Sequence, residues 1–459
     1  MNPAHGRAIL LYSSAVLYAI PLLFSTSCWW VAFLVLPLFL YAVHDMRMSA
    51  MQGFLWGLLA LCAYGSSFIA GIFFLARGPY LVRAIPLVVG CAWIGAGAAL
   101  WFWVTEAGIR WFSKYALSDT RTIRLMCWAM STCMYLVWID RGCLWLFGRW
   151  EGLCVANLLV PLVSCPALLY GVSRCGVAVG LCMLVATAAM SIAGYIHPTK
   201  TRFILLCACS MFWLIGFFIA PQDTENAYQN ADNWVVQCKV IPRQFFALDA
   251  PFSTAHALWE CVHACCMQYP AARIFIFPES AVSDPHACAL FTQLYLKKAQ
   301  PVHVLIGGFS EDTHGYRNSV YWWCKGKAPV IFHKNHASPV TERISFAAQI
   351  PMVRSAYFST MPEINPAIDK TRMACQFDEC NCAGVIYICS ELFFNNDPHD
   401  HHLSEPIIAL CNDAWANKIA AQQMYYCARF KAIAWQRDIV YAAYRYQAVL
   451  AKTGEVMGL

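Results

Sequence analysis

Cys389 closes an apolar run, Gly384-Val385-Ile386-Tyr387-Ile388, and a carboxylate, Glu391, follows two residues later. A β-branched stretch bounded by glycine and a polar cluster reads as a strand. A thiol at the strand's carboxyl end lies where α/β folds place their chemistry. Two other strand-like runs end in charge. Arg273-Ile274-Phe275-Ile276-Phe277 leads into Pro278-Glu279-Ser280, and Val330-Ile331-Phe332 leads into His333-Lys334, with Glu342 further on. A carboxylate, an ammonium and a thiol brought to one sheet edge form a coherent nucleophilic set. Glu279 can take the thiol proton, Lys334 can favour the thiolate and stabilise an oxyanion, and Cys389 can attack a carbonyl and carry the acyl group. Each has a plain alternative: Glu279 in a solvated turn, Lys334 as a surface charge, Cys389 as a small core residue among the 24 cysteines of the chain. Their common placement beyond apolar strands favours the joint reading.

These residues sit in the second of two compositionally distinct parts. The chain has 459 residues, 59% hydrophobic and only 13% charged, which departs strongly from an ordinary soluble protein. The excess lies before residue 220. We expect a transmembrane helical domain over 1–220, a linker over 221–232 and an α/β domain over 233–459. Cysteines divide evenly, 12 before residue 220 and 12 after, so their count says little about redox compartment. The net charge of +6 is spread through loops, which leaves no nucleic-acid footprint.

Apolar runs long enough, or nearly so, to cross hydrocarbon fall at about 8–24, 29–43, 52–76, 84–105, 122–139, 172–195 and 203–220, giving about seven spans. The stretch 152–171 carries Pro161 and Pro166 and reads as re-entrant or interfacial. With the N-terminus inside, inner loops hold Arg7, Arg47, Arg110, Lys114, Arg121, Arg124, Lys200 and Arg202; outer loops hold Arg77, Arg83, Arg141, Arg149 and Arg174. Eight cations against five favour this orientation, with the second domain on the extracytoplasmic face. Counting 152–171 as an eighth span instead puts it in the cytoplasm, with a nearly even charge split. Asp140 and Arg141 at the end of the fifth run read as an interfacial anchor rather than a lipid-headgroup contact.

In the second part, strands are expected at Trp234–Val240, Arg273–Phe277, Val302–Ile306, Asn318–Trp323, Val330–Phe332, around Cys389, at Ile407–Cys411 and at Ile439–Tyr444. Helices are expected over 253–268, 286–299 and 417–435. That alternation argues an α/β sheet under helices. Cys375, Cys380 and Cys382 lack a fourth ligand for a metal, and Asp397–His402 reads as a solvated loop. No cofactor or metal is implied.

Phe277-Pro278-Glu279-Ser280-Ala281, Lys334-Asn335-His336 with Pro339 and Glu342, and Ile388-Cys389-Ser390-Glu391 together resemble the Glu-Lys-Cys signature of the nitrilase (carbon–nitrogen hydrolase) superfamily, in particular its apolipoprotein N-acyltransferase branch. Val236-Gln237, Ile241-Pro242, Asn318, Asn412-Asp413-Ala414-Trp415 and Ala428-Arg429 follow that branch in order. The resemblance implies an αββα sandwich. It implies Glu279 as general base, Lys334 as oxyanion and acid partner and Cys389 as nucleophile, supported by Glu342, Glu391, Asn318 and Asn412. The implied reaction carries an acyl chain from a phospholipid, through a Cys389 thioester, to the amine of a lipoprotein or another acceptor at the bacterial inner membrane. Ser390 stands where these acyltransferases have Tyr, and the chain ends at Leu459 about where the domain's last strands are expected to begin, which implies a domain truncated at its C-terminus. The chain also resembles shortened conjugative-transfer membrane proteins of the same layout. Two further readings therefore stand beside acyl transfer: an amidase-type hydrolase, and a nitrilase-like scaffold of altered or lost activity in a conjugation or envelope machine.

Overall fold

The computed structural model describes residues 3–60, 80–115, 119–142, 144–146, 149–151, 157–218, 238–240, 251–282, 284–297, 302–313, 315–324, 327–335, 351–352, 355, 374–377, 382–394, 405–414 and 416–458. The chain divides into two compact units, Met1–Ala70 with Ala84–Gln222, and Gly71–Arg83 with Asp223–Leu459.

The first unit is built from α1 (Pro3–Leu23), α2 (Ala32–Val43), α3 (Ala50–Ala60), α4 (Tyr80–Phe112), α5 (Thr120–Gly142), α6 (Val177–Ile196) and α7 (Lys200–Phe218). Among the described residues three stretches are long and apolar enough to cross a membrane: Thr120–Asp140, Val177–Ile196 and Lys200–Phe218. The expected count of about seven is not reached among the described residues, and the geometry gives reasons. The run at 29–43 breaks into a 3₁₀ turn, Trp29–Val31, and the 12-residue α2, which at about 1.5 Å per residue falls well short of a hydrocarbon core of about 30 Å. The run at 52–76 is described only to Ala60. The run expected from 172 supplies one of the three, with its helix starting only at Val177 because Gly176, at φ 91°, separates it from the short helix Tyr170–Cys175. The proline-bearing stretch forms two 3₁₀ turns, Val160–Ser164 and Pro166–Leu169, each with a proline in its first turn, as the missing N–H of proline dictates.

Inside this unit Phe39, Trp56, Trp101, Phe102 and Trp128 form an aromatic cluster, with Trp101 stacked on Tyr135 at 4.2 Å. Three polar contacts brace these helices and the segments between them. Arg124 donates to Glu106 at 2.6 Å and to the Met46 carbonyl, and Asn157 donates to Asp140 at 2.7 Å.

The second unit holds two sheets. The first has β1 (Cys238–Val240), β2 (Ile274–Val282), β3 (His303–Asp312), β4 (Gly315–Trp323) and β5 (Val330–His333) in that spatial order, the first three parallel and the rest antiparallel. The second, in spatial order from its far edge, runs β11 (Val456–Gly458), β10 (Gln447–Leu450), β9 (Ile439–Ala442), β8 (Ile407–Leu410), β7 (Cys382–Ile388) and β6 (Ala374–Phe377). Here β7, β8 and β9 are parallel and the outer strands antiparallel. Residues 447–458, beyond the last strand expected at Ile439–Tyr444, add β10 and β11 at one edge of this sheet.

Alternation along the strands sets the layers. Ile274, Ile276, Leu305, Val320 and Phe332 from the first sheet share one apolar core with Ile386, Ile388, Ile408, Leu410, Val440 and Val449 from the second. The opposite face of the first sheet, Phe275, Phe277, Val304, Ile306 and Trp323, packs on α8 (Pro251–Gln268) and α9 (Pro285–Lys297). On the second sheet α11 (Lys418–Trp435) packs against β9 and β10 and against the one-turn α10 (Ser390–Phe394). Its start is capped by Asn417, whose side chain accepts from Ala420 N at 2.9 Å. The result is a helix–sheet–sheet–helix sandwich.

Candidate active site

Glu279 comes from a break in β2. Pairing with β3 is regular to Phe277 and resumes with a register shift at Val282. An irregularity of this kind re-aims a side chain at a strand end. Ser280 takes φ 59° within it, a left-handed conformation that costs a non-glycine residue about 1–2 kcal/mol. Facing the break, Gly307 of β3 lies so close that a Cβ built on it would meet the Glu279 Cα and the Pro278 carbonyl oxygen at 2.5 Å each. Glycine is required at that position by close approach rather than by φ.

Lys334 follows β5, where its N–H donates to the Asn318 carbonyl at 2.8 Å. Its Nζ lies 2.8 Å from Glu279 Oε1, and the Asn318 Nδ2 donates to the same oxygen at 2.7 Å. All three side chains are buried, with Lys334 only 1% exposed. Removing two opposite charges from water is tolerated because they neutralise each other and are hydrogen-bonded. The sequence places these three residues on three different strands; the structure brings them together.

Cys389 and Glu391 come from the other sheet. Cys389 follows β7, donates its N–H to the Leu410 carbonyl at 2.8 Å, and turns the chain at φ 44° into α10. The Leu392 N–H closes that turn on the Cys389 carbonyl at 3.0 Å. Such strain, held by a fully bonded strand on one side and a helix on the other, concentrates at functional turns. Glu391, 3% exposed, spans both sheets. Its Oε2 accepts the Ile388 N–H at 2.7 Å and its Oε1 accepts the Asn335 N–H at 2.7 Å. The residue after Lys334 is thereby tied to the turn that carries Cys389. A second tie joins the sheets, since the Tyr444 hydroxyl donates to the Glu279 carbonyl at 3.1 Å.

Other expected positions fare differently. Asn412 is half-buried beyond β8 and accepts the Ala414 N–H through Oδ1 at 3.1 Å, a turn role. Glu342 lies outside the described residues, as do Cys380 and the 397–402 loop. Of Cys375 and Cys382 only the strand backbone is described. Among the described residues no cluster of His, Cys, Asp and Glu is arranged to hold a metal ion.

Sequence reasoning missed several residues here. Asp413 accepts the backbone N–H groups of Tyr444, at 2.9 Å, and Arg445, at 3.0 Å, pinning the loop that supplies Tyr444. Burial holds its carboxyl above the ordinary carboxylate range, against the pull of those two donors. Cys411 is fully buried beyond β8. Burial raises its thiol well above the ordinary value. Burial does the same to the phenols of Tyr441 and Tyr444. One signal was present in the sequence: Cys411 ends an apolar strand just as Cys389 does.

No family model and no curated protein matches the chain. Similar solved structures include a carbon–nitrogen hydrolase from Helicobacter pylori G27, with TM-score 0.36 and 12% identity over 48% of this chain and 82% of that one. They also include Nit3 of Saccharomyces cerevisiae, a member of branch 10 of the nitrilase superfamily, with TM-score 0.33 and 10% identity over 47% of this chain and 83% of that one.

Proposed function

We propose that the chain is a membrane-anchored acyltransferase of the nitrilase type, close to the apolipoprotein N-acyltransferase branch, working through a Cys389 thioester. The observation that carries this reading is the buried Lys334–Glu279 pair, fastened through Asn335 and Glu391 to the Cys389 turn.

In this reading Glu279 takes the Cys389 proton on Oε2, since both of its hydrogen bonds to Lys334 and Asn318 fall on Oε1. The thiolate attacks the ester carbonyl of a phospholipid. Lys334 stabilises the oxyanion, and the intermediate collapses as Glu279 returns the proton to the departing lysophospholipid oxygen. The thioester then meets an amine. Glu279 removes a proton from the attacking nitrogen, the amide forms, and the Cys389 thiolate leaves to be reprotonated. Asn318 and Glu391 hold the pair and the turn in place. The three apolar helices support a substrate that is itself a lipid. We place the first unit in the bacterial inner membrane and the second on its extracytoplasmic side, following the loop charge balance. A reporter fused after Leu459 should then be active outside the cytoplasm, and a cytoplasmic signal would reverse the orientation.

The test is intact-mass analysis of purified protein mixed with phospholipid vesicles. A fatty-acyl adduct on Cys389, absent in Cys389→Ala, is expected. A folded protein that never acquires the adduct would refute acyl transfer. An adduct released as free fatty acid even with a lipopeptide amine present would point instead to hydrolysis.

A further inference from the structure

The second sheet delivers two thiols to the same edge. Strands β7 and β8 run parallel and in register from Val385↔Ile407 to Ile388↔Leu410, so Cys389 and Cys411 are the next pair along. Both main chains are fixed by the ladder, Cys389 N–H to the Leu410 carbonyl and Cys411 N–H to the Ala442 carbonyl, each at 2.8 Å. Their surroundings differ. Cys389 sits in the strained turn and retains 7% exposure, whereas Cys411 has none.

We propose that Cys411 is a positioning residue for Cys389: its thiol keeps its proton and donates it in a hydrogen bond to the Cys389 sulfur. That bond holds the Cys389 side chain in one rotamer and favours its thiolate. The inference rests on the reading of Cys389 as nucleophile and adds a residue to that site.

The surroundings of the pair decide which thiol is the donor. Cys411 is wholly buried, and the groups near it are Cys389, Glu279 from the first sheet, Asp413 one turn on and the Tyr441 phenol of β9. Glu279 is balanced by Lys334 at 2.8 Å, so what keeps Cys411 neutral is its complete burial, which makes a thiolate there costly. Cys389 is the more exposed of the two and lies in the turn that Glu391 fastens to the chain beyond Lys334. The proton therefore stays on Cys411. A thiol is a weak donor, so the effect is modest and its loss should be measurable rather than total.

The experiment uses the full chain in detergent and needs no identified substrate. The rate of carbamidomethylation of Cys389 is followed by peptide mass spectrometry across pH, for the wild type, Cys411→Ala and Cys411→Ser. In Cys411→Ala the midpoint of the pH profile should move upward and the rate at neutral pH should fall about fivefold, the scale of one lost hydrogen bond. Cys411→Ser, which restores an O–H donor, should recover most of the wild-type profile. A purely structural role for Cys411 would leave the midpoint unmoved. Should the alanine variant fail to fold, Cys411→Val, closer in volume, takes its place. Identical midpoints and rates in the wild type and the donor-less variant would overturn the proposal while leaving the nucleophile reading intact. A wild-type Cys389 that reacts at no pH would overturn both.

Discussion

The backbone N–H of Asn335 donates to Oε1 of Glu391 at 2.7 Å, joining the chain just past Lys334 to the turn just past Cys389. The other oxygen of the same carboxylate takes the Ile388 N–H at 2.7 Å. One side chain therefore links the two halves of the candidate site.

Replacing Glu391 tests that role. Glu391→Ala leaves two buried N–H donors unpaired, at about 1–3 kcal/mol each, so the denaturation midpoint should fall and the Cys389 acyl adduct should disappear. Glu391→Gln, which keeps one acceptor oxygen, should fall between. A wild-type melting curve for the alanine variant would contradict the clamp.

The Lys334–Glu279 pair should show the asymmetry of buried ions. Lys334→Met strands a carboxylate that is 5% exposed and should cost about 3–5 kcal/mol. Glu279→Gln/Lys334→Met together should cost less than Lys334→Met alone, because neither charge then remains. Both variants should lack the acyl adduct. Chemical denaturation of the wild type, Lys334→Met, Glu279→Gln and the double variant measures the difference, and additive single costs would contradict a coupled pair.

Gly307→Ala should damage the site without touching a charged residue. The new methyl meets Glu279 main-chain atoms at 2.5 Å (Cα) and 2.9 Å (N), and backbone cannot swing aside as a flexible side chain can. We expect a destabilisation of about 1–3 kcal/mol and a drop in Cys389 acylation larger than for Gly308→Ala. At Gly308 the added carbon comes no nearer than 3.0 Å to any neighbour. Equal acylation by the two variants would argue against close approach as the reason for glycine.

Asp413 makes stability pH-dependent in a stated direction. Burial raises its carboxyl in the folded protein, so between the unfolded value of about 3.9 and the raised folded value the native state binds more protons than the unfolded chain. Its contribution is complete below the unfolded value and is lost as pH rises through the folded one. Wild-type stability relative to Asp413→Asn should thus be greater at pH near 4.5 than at pH near 7.5. Melting curves of both proteins at the two pH values give the comparison, and the opposite slope would show that the two backbone donors outweigh burial.

Much of this was local and therefore readable. The apolar runs ending at Phe277, Phe332 and Ile388 announce strands, and each delivers a polar residue just beyond the point where the alternation stops. The division of the chain at about residue 220 follows from composition alone. The span count did not survive. Hydropathy measures the length of an apolar run but not whether a 3₁₀ turn, as at Trp29–Val31, interrupts the helix within it.

The sequence by itself determined which residues could do chemistry and that each stands at a strand end, because side-chain alternation and β-propensity act over a few neighbours. Only the tertiary structure decided that Glu279 and Lys334 share one sheet while Cys389 belongs to the other. It alone decided that Glu391 bridges the two, that Gly307 must be bare, and that a second thiol lies beside the first. The contacts that cross between the sheets join residues 56 and 165 positions apart. They exist because two independently formed sheets bury one apolar face against another, and no local pattern encodes which strand ends that packing brings together.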